Sequence, residues 1–375
     1  MQNTRFMASA MRYARRGVYT TSPNPNVGCV IVKDNQEVAV GWHQKTGQAH
    51  AEINALERAG ELAQGATAYV TLEPCCHQGK TGPCADALIT AGISTVYIAM
   101  QDPNPLVAGQ GIKRLRDAGV EVHVGLLESR ARLLNQGFIK RMQQGMPFVR
   151  LKMAMSLDGR TAMASGESRW VTGADARQDV QRMRARSSAI LTGIDTVLAD
   201  DPSLNVRLDS DALGVVGETR QPLRVILDTR GRLPADAKLL KLEGQVLLLT
   251  ADKTKLFEHP NLIVEEVGIK QGRLDLREVM HILAQYEVNE LHVEAGSVLS
   301  GALLNENLAD EIVVYMASHL MGNDAQGLFT LPDIETMQQR INLKIEDIRA
   351  VGKDWRITAK PVITDTLNND RLEQM

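Results

Sequence analysis

Between residues 27 and 125 short apolar runs alternate with amphipathic runs of helical period, and this alternation restricts the fold more than any other feature of the chain. VGCVIVKDNQEVAVGWH reads as two strands, 27–33 and 37–43, joined by the polar turn Asp34-Asn35-Gln36. AHAEINALERAG places Ile53, Leu56 and Ala59 at spacings of three and stops at Gly60, which predicts a short helix. ATAYVTL, TVYIAM and VEVHVG follow as strands, with CADALITAGI and GIKRLRDAGV as helices between them. Strands separated by helices form a largely parallel sheet covered on both faces, so the expected fold class is α/β, with a three-layer domain first.

The run RARLLNQGFIKRMQQGMP predicts one closing helix, broken by Gly145, Met146 and Pro147. A boundary there gives domains at 1–145 and 146–364, with a polar tail at 365–375. The second half opens on the strand FVRLKMAM and carries an amphipathic stretch from Asp175 to Ser187. Strands at PLRVILD, QVLLLT and ELHVEAG, a helix from Val298 to Asn305 and a strand at EIVVYMA make it α/β as well. Two domains suit a chain of 375 residues, given a prior of about 150 residues per domain.

The net charge is −3 and no block of like charges occurs, so nothing marks a surface for nucleic acid or anionic lipid. Small-molecule partners are expected, with a homo-oligomer as the assembly. No uncharged apolar stretch reaches the length of a membrane span, and MQNTRFMASAMRYARRG lacks the unbroken apolar core of a secretory signal, so a cytoplasmic protein is expected. Of the four cysteines three fall within LEPCCHQGKTGPC at 72–84, a distribution that suits metal or catalytic use rather than disulfide staples.

His50 and Glu52 open the first good helix, and Pro74-Cys75 ends the strand after it. Zinc deaminases of nucleobases show the same order: His-x-Glu, then Pro-Cys, then a second cysteine, with the glutamate outside the ligand set. Three protein ligands leave a fourth tetrahedral position for water, which zinc acidifies toward neutrality. Residues two apart on a helix point about 200° apart, which suits a carboxylate that moves protons beside the metal instead of binding it. The commonest spacing would put the second cysteine at position 78, but that residue is Gln78. Cys84, at the mouth of the next helix where the dipole favours a thiolate, is the next able to serve. Cys76 is its rival, although side chains adjacent in sequence diverge, and His77 follows the same crowded pair. A closed structural site built from His50 or His77 with three cysteines leaves Glu52 without a use. Cys29, inside an apolar strand, reads as core.

With HAE at 50–52, PCCHQGKTGPC at 74–84, and KMAMSLDGRTA, TGIDTVLADDPSLNVR and VEAGSVLSGALL in the second half, the chain closely resembles the bifunctional riboflavin-biosynthesis deaminase/reductase family. The resemblance runs over nearly the full length. It implies a cytidine-deaminase-like domain that removes the 2-amino group of 2,5-diamino-6-ribosylamino-4(3H)-pyrimidinone 5′-phosphate as ammonia, a hydrolase step. It also implies a domain resembling dihydrofolate reductase, an oxidoreductase that uses NADPH to reduce the ribosyl group to ribityl. His50, Cys75 and Cys84 then match zinc ligands and Glu52 the catalytic proton shuttle. Asn24, His43, His77 and Lys80 match positions that contact the deaminase substrate, with Lys80 suited to a carbonyl or phosphate. Read without the family, Lys80 is a solvated lysine and Asn24 a turn residue.

No GxGxxG follows a strand, so a Rossmann cofactor site is unsupported. ELHVEAGSVLSGALL is an apolar strand that runs through Gly296-Ser297 into a helix, where amides can cradle phosphate or the glycine can simply turn a corner. The resemblance implies that residues 296–302 hold the NADPH phosphates, with Ala295 where many relatives have a second glycine. It assigns further cofactor contacts to Ala154, Trp170, Thr196, Asp200 and Thr229. Ser168, Arg184, Leu204, Arg207 and Glu294 match substrate positions, and arginine forks suit a ribose phosphate. Lys152, hard to rationalise as a buried structural lysine, joins them as a catalytic or substrate contact. Arg230 and Arg232 are both open as partners for the 2′-phosphate of NADPH. The plain alternatives are a turn at Asp200-Asp201-Pro202 and a solvated helix face at Arg184.

Two rival functions remain at this level. A deaminase acting on nucleic acid needs a basic or aromatic track, yet the chain has only three tryptophans, six tyrosines and five phenylalanines and a negative net charge. A zinc-stabilised binding protein without chemistry would make Glu52 dispensable.

Overall fold

The run Gly28–Lys33 forms strand β1, and its residues divide by parity between two cores. Cys29 and Ile31 join Val70, Leu88, Val96 and Ile98 on one face. Val30 and Val32 join Phe6, Met7, Met11 and Tyr69 on the other. A strand buried on both faces therefore reads as an unbroken apolar run, and each such side chain contributes about 1.5–3 kcal/mol by burial. The computed structural model describes residues 2–76, 82–105, 107–255, 257–332 and 334–362. One unit comprises Met1–Pro147, Leu208–Arg220 and Leu283–Asn289; the other comprises Phe148–Arg207, Gln221–Ile282 and Glu290–Met375.

In the first unit β2 (Gln36–Trp42) and β3 (Thr67–Val70) both pair antiparallel with β1. β4 (Thr95–Ile98) and β5 (Glu121–Val124) continue in parallel, giving the order β2-β1-β3-β4-β5. The helices are α1 (Gln2–Ala14), α2 (Ala51–Ala59), α3 (Cys84–Thr90) and α4 (Gln110–Asp117). Gly41 sets how α2 lies on the sheet: a Cβ there would stand 2.2 Å from Ala51 O and 2.4 Å from Ala55 N. The expected single helix near residue 140 is two, α5 (Glu128–Leu134) and α6 (Gln136–Gln144). Asn135 breaks it because its buried amide is spent elsewhere, accepting from Asn26 N at 2.7 Å and donating to Asn26 O at 3.0 Å.

The second unit is built on a nine-stranded sheet. β6 (Phe148–Ser156) is followed by the short β7 (Arg160–Ala162), then by β8 (Ala189–Gly193), β9 (Leu223–Leu227), β10 (Val246–Thr250) and β11 (Leu262–Glu266). The small pair β12 (Ile269–Lys270) and β13 (Arg273–Leu274) precedes β14 (Glu290–Val293), β15 (Glu311–Ala317) and the short β16 (Gln326–Gly327). β17 (Leu343–Val351) and β18 (Asp354–Pro361) end the described chain. The sheet order is β11-β10-β9-β8-β14-β6-β15-β18-β17, parallel as far as β15 and antiparallel beyond it. The helices of this unit are α7 (Ala174–Arg186), α8 (Ile194–Asp200), most of α10 (Leu276–Gln285) and α11 (Ser297–Asn305), while α9 (Ser210–Leu213) belongs to the first unit. Strand β8 and the β17–β18 hairpin have no counterpart in the expected elements: AILTG is too short to show a period, and β17 is exposed along nearly its whole length. Among the described residues no helix is long and apolar enough to cross a membrane.

At the edge where β6, β14 and β15 begin, buried Arg150 donates to Glu290 at 3.0 Å and to Glu311, and Arg186 donates to the other Glu290 oxygen at 3.0 Å. Burial pushes the Glu290 carboxyl up, but Arg186 and Arg150 outweigh it and hold the group at about 2. This cluster ties three strands and α7 together. The opposite edge, where parallel strands end, is where ligands of open α/β sheets bind.

Candidate active sites

His50 is the N-cap of α2, extended in backbone (φ −74°, ψ 169°), and Glu52 lies in the first turn. The helix therefore begins between them, and the ring leaves the backbone before the helical spiral starts. Cys75 follows β3, and Cys84 is the first residue of α3, with a buried side chain. These segments meet: Cys75 Sγ lies 3.6 Å and Cys84 Sγ 3.3 Å from His50 Nδ1. The Cys84 amide donates to Cys75 Sγ at 3.4 Å. All three donor atoms fall within 4.8 Å of one another. Tetrahedral zinc with ordinary bond lengths needs sulfur and nitrogen about 3.6 Å apart, so the two thiols and the imidazole fit that ion in spacing and in softness. Hydrogen bonding from Cys84 first, and then His50, outweighs burial and brings the Cys75 thiol down to about 4. The Cys84 thiol is pushed up by its bond to Cys75 and by burial.

Glu52 is 3% exposed, and burial pushes its carboxyl up to about 7 against the opposing pull of His50. A buried carboxyl near neutrality, beside a metal-sized cluster, can both take and return a proton. Cys76 is outside the cluster, with its thiol donating to Gln110 Oε1 at 3.5 Å. Cys29 is fully buried in β1. Asn24 and His43 come together: Asn24 Nδ2 is 3.1 Å from His43 Nε2, and His43 Nδ1 is 3.1 Å from Ala49 O. A carbonyl only accepts, so Nδ1 carries the proton and Nε2 accepts from the amide, a neutral ring; burial, the largest influence on this group, lowers its pKa in the same sense. The ring stands edge-on to His50 with centroids 5.5 Å apart. His77 and Lys80 lie outside the described residues.

Sequence reasoning passed over Glu73. Its buried carboxylate accepts amides from Asp102 at 3.1 Å, Gly109 at 2.9 Å and Ile112 at 3.1 Å, holding the start of α4 against the Pro74-Cys75 turn. Gly111 allows the approach, since a Cβ there would stand 2.0 Å from Pro74 O. A charged residue inside the apolar TLEP run was the available signal.

In the second unit Arg184 of α7 meets Glu294, just past β14, through two parallel bonds of 2.5 and 2.9 Å, and donates to Asn205 O at 2.9 Å. It is buried, which answers the plain reading of a solvated face. Burial raises the Glu294 carboxyl, yet Arg184 and His292 hold it well below its ordinary value. His292, also not foreseen, is fully buried with Nε2 3.2 Å from Glu294 Oε1. Lys152 is half-buried on β6, and burial lowers its pKa while Glu294 pulls it up and Arg184 pushes it down. Ala154 follows two residues later on the same face of the strand.

Arg207 is exposed, with its amide donating to Gln181 Oε1 at 2.8 Å; its guanidinium has no side-chain partner among the described residues. Leu204 has φ 46° and is buried. Ser168 is half-buried; Trp170 is 71% exposed, with the Arg177 guanidinium 4.6 Å from the ring centre. Thr196 lies in α8, and Asp200 ends that helix, taking Arg169 at 3.0 Å. Thr229 is half-buried just past β9. Gly296 is the N-cap of α11 with open space where a Cβ would be, and Ser297 begins the helix.

Residues 147–357 match the family model described as "RibD C-terminal domain", and residues 1–100 match "Cytidine and deoxycytidylate deaminase zinc-binding region". A curated relative from Haemophilus influenzae, "Riboflavin biosynthesis protein RibD", is 49% identical over 365 residues, covering 96% of this chain and 98% of its own. The chain belongs to the RibD family. The RibD of Escherichia coli is also 49% identical, over 94% of this chain and 98% of its own. Acinetobacter baumannii RibD, form 1, superposes with a TM-score of 0.88 at 48% identity over 96% of this chain and 99% of that one. A Thermotoga maritima structure named as a diaminohydroxyphosphoribosylaminopyrimidine deaminase/5-amino-6-(5-phosphoribosylamino)uracil reductase gives 0.84 at 33% identity, with coverage of 96% and 99%. As a RibD family member the chain is a bifunctional enzyme of riboflavin biosynthesis, with a zinc-binding deaminase region and a reductase domain.

Proposed function

We propose that the first half of this enzyme deaminates 2,5-diamino-6-ribosylamino-4(3H)-pyrimidinone 5′-phosphate, and that the second half reduces the product with NADPH to 5-amino-6-ribitylamino-uracil 5′-phosphate. The Thermotoga maritima relative is itself named for a deaminase and a reductase of this kind. We set the deaminase domain at 1–145, the reductase domain at 146–364 and a tail at 365–375, in a cytoplasmic homo-oligomer.

The observation that carries the deaminase is the meeting of His50, Cys75 and Cys84 beside buried Glu52. His50, Cys75 and Cys84 would hold zinc, which when bound supplies an acidified water for attack on the amino-bearing carbon. Glu52 accepts a proton at its carboxylate as the attack begins and gives it to the departing amine, so one group serves as base and then acid. Asn24 and His43 orient the pyrimidine through their paired amide and neutral ring, with His77 and Lys80 completing the substrate loop.

In the reductase half Gly296 and Ser297 receive the cofactor phosphates at the start of α11, and Ala154, Trp170, Thr196, Asp200 and Thr229 line the rest of the cofactor site. The open space at Gly296 supports this reading. Arg184 is already engaged by Glu294, so it aims that carboxylate at the sugar, while Arg207 keeps a free fork for the ribose phosphate. Lys152, Ser168 and Leu204 complete the substrate side.

The test is direct. Purified protein with zinc should release ammonia from the diaminopyrimidinone phosphate and then oxidise NADPH in proportion; ammonia release without NADPH oxidation would remove the reductase half of the reading.

A further inference from the structure

His292 is fully buried on β14, and neither of its ring nitrogens makes a well-aligned hydrogen bond among the described residues. Such a group costs stability that an apolar side chain in its place would not, so its presence calls for a use. Strand register identifies what it faces: Ile190 of β8 and Arg150 of β6 stand beside it on the same face of the sheet. Two residues further along the three strands come Thr192, Glu294 and Lys152, and Arg184 reaches Glu294 from α7. Arg150 is taken by Glu290 and Glu311. The acceptor left to His292 is Glu294, whose Oε1 lies 3.2 Å from Nε2.

These contacts make the two oxygens of Glu294 unequal. Oε1 takes Arg184 Nε at 2.5 Å and faces His292 Nε2 as well, whereas Oε2 takes Arg184 Nη2 alone, at 2.9 Å. A carboxylate oxygen can accept two hydrogen bonds, so Oε1 is filled and Oε2 keeps one place open. A carboxylate only accepts, so the ring that meets it carries its proton on Nε2 and leaves Nδ1 bare. Burial, the largest influence on His292, favours that neutral form against the pull of Glu294, and the charges of Arg150 and Arg184 act in the same sense as burial.

We propose that His292 is a positioning residue for the reductase: its Nε2–H occupies Glu294 Oε1, which leaves Oε2 as the oxygen offered to a hydroxyl of the sugar. The proposal rests on the reading of Glu294 as a substrate contact, and the loose His292 contact tightens when that hydroxyl engages Oε2. Its test combines kinetics on pre-deaminated substrate and NADPH with urea unfolding of the same full-length variants. His292→Leu should lower kcat/KM for the pyrimidine roughly tenfold and leave KM for NADPH unchanged. Its urea midpoint should stay level or rise, because a buried polar group is gone. Loss of a donor raises the Glu294 carboxyl, so the acid limb of the leucine variant's pH profile moves to higher pH. His292→Gln, which returns a donor, should recover most of the rate and the wild-type limb. Activity that falls only in step with the urea midpoint, or no better rate with glutamine than with leucine, overturns the proposal. Glu294→Gln separates the two levels: an unchanged kcat/KM in that variant removes the Glu294 reading and this proposal together, whereas a loss there beside a fully active His292→Leu removes this proposal alone.

Discussion

Cys84 Sγ stands 3.3 Å from His50 Nδ1 although 34 residues separate the two in the chain. A sulfur and a nitrogen held at that spacing by two helix starts form a preorganised half of a tetrahedral site. Cys84→Ser should therefore abolish stoichiometric zinc binding, and Cys76→Ser should leave it intact, because the Cys76 thiol is turned to Gln110. Metal analysis of the two purified variants decides the matter, and loss of zinc in the Cys76 variant alone would reverse the assignment.

Glu52→Gln keeps the side-chain shape and removes the proton acceptor. Ammonia release should fall by roughly a hundredfold to ten thousandfold while zinc content stays at the wild-type level. Retained turnover would show that another group moves the proton.

Chelation should uncouple the two activities. No His50–Cys75–Cys84 type of cluster recurs among the described residues of the second unit. Treatment with a zinc chelator is expected to stop ammonia release, yet NADPH oxidation with pre-deaminated substrate should persist. Parallel loss of both activities would point to a reductase that depends on the metal.

Arg150→Met should destabilise the second unit by about 3 kcal/mol, because it leaves Glu311 without its cation and Glu290 with Arg186 alone. The pH dependence follows in sign. Glu290 is held at about 2 in the folded chain, below its ordinary 4.5, so its contribution is present above pH 4.5 and is lost as pH falls from there toward 2. Urea midpoints between pH 7 and 3 should fall with acid in the wild-type chain and fall less steeply in the variant; equal slopes would show that Arg150 does not hold the carboxyl down.

Glu73→Ala removes an acceptor shared by three backbone amides and should loosen the start of α4 against the cysteine turn. Faster amide exchange at residues 102, 109 and 112, with weaker zinc retention in a chelator competition, is the expected result.

The α/β class was legible because strand and helix periods differ and because the strands of the first unit alternate with its helices. The break at Asn135 was not, since the side chain that ends the helix is bound to Asn26, 109 residues away in sequence. Nor was β17, whose apolar–polar alternation changes phase at the register shift between Ile345 and Asp347 and whose side chains are nearly all exposed. In the candidate sites, the types and order of His50, Glu52, Cys75 and Cys84 could be read from spacing, while Glu73 and His292 act through partners that spacing does not reveal.

By itself the sequence determined the chemistry on offer: the donor types, the fold class and the family these motifs specify. Only the tertiary structure decided which groups meet. It turned Cys76 away from His50, closed the Arg184 fork on Glu294, and spent Arg232 on Asp195. Such pairings depend on contacts between residues remote in the chain, and local periodicity carries no information about the direction in which a packed side chain points.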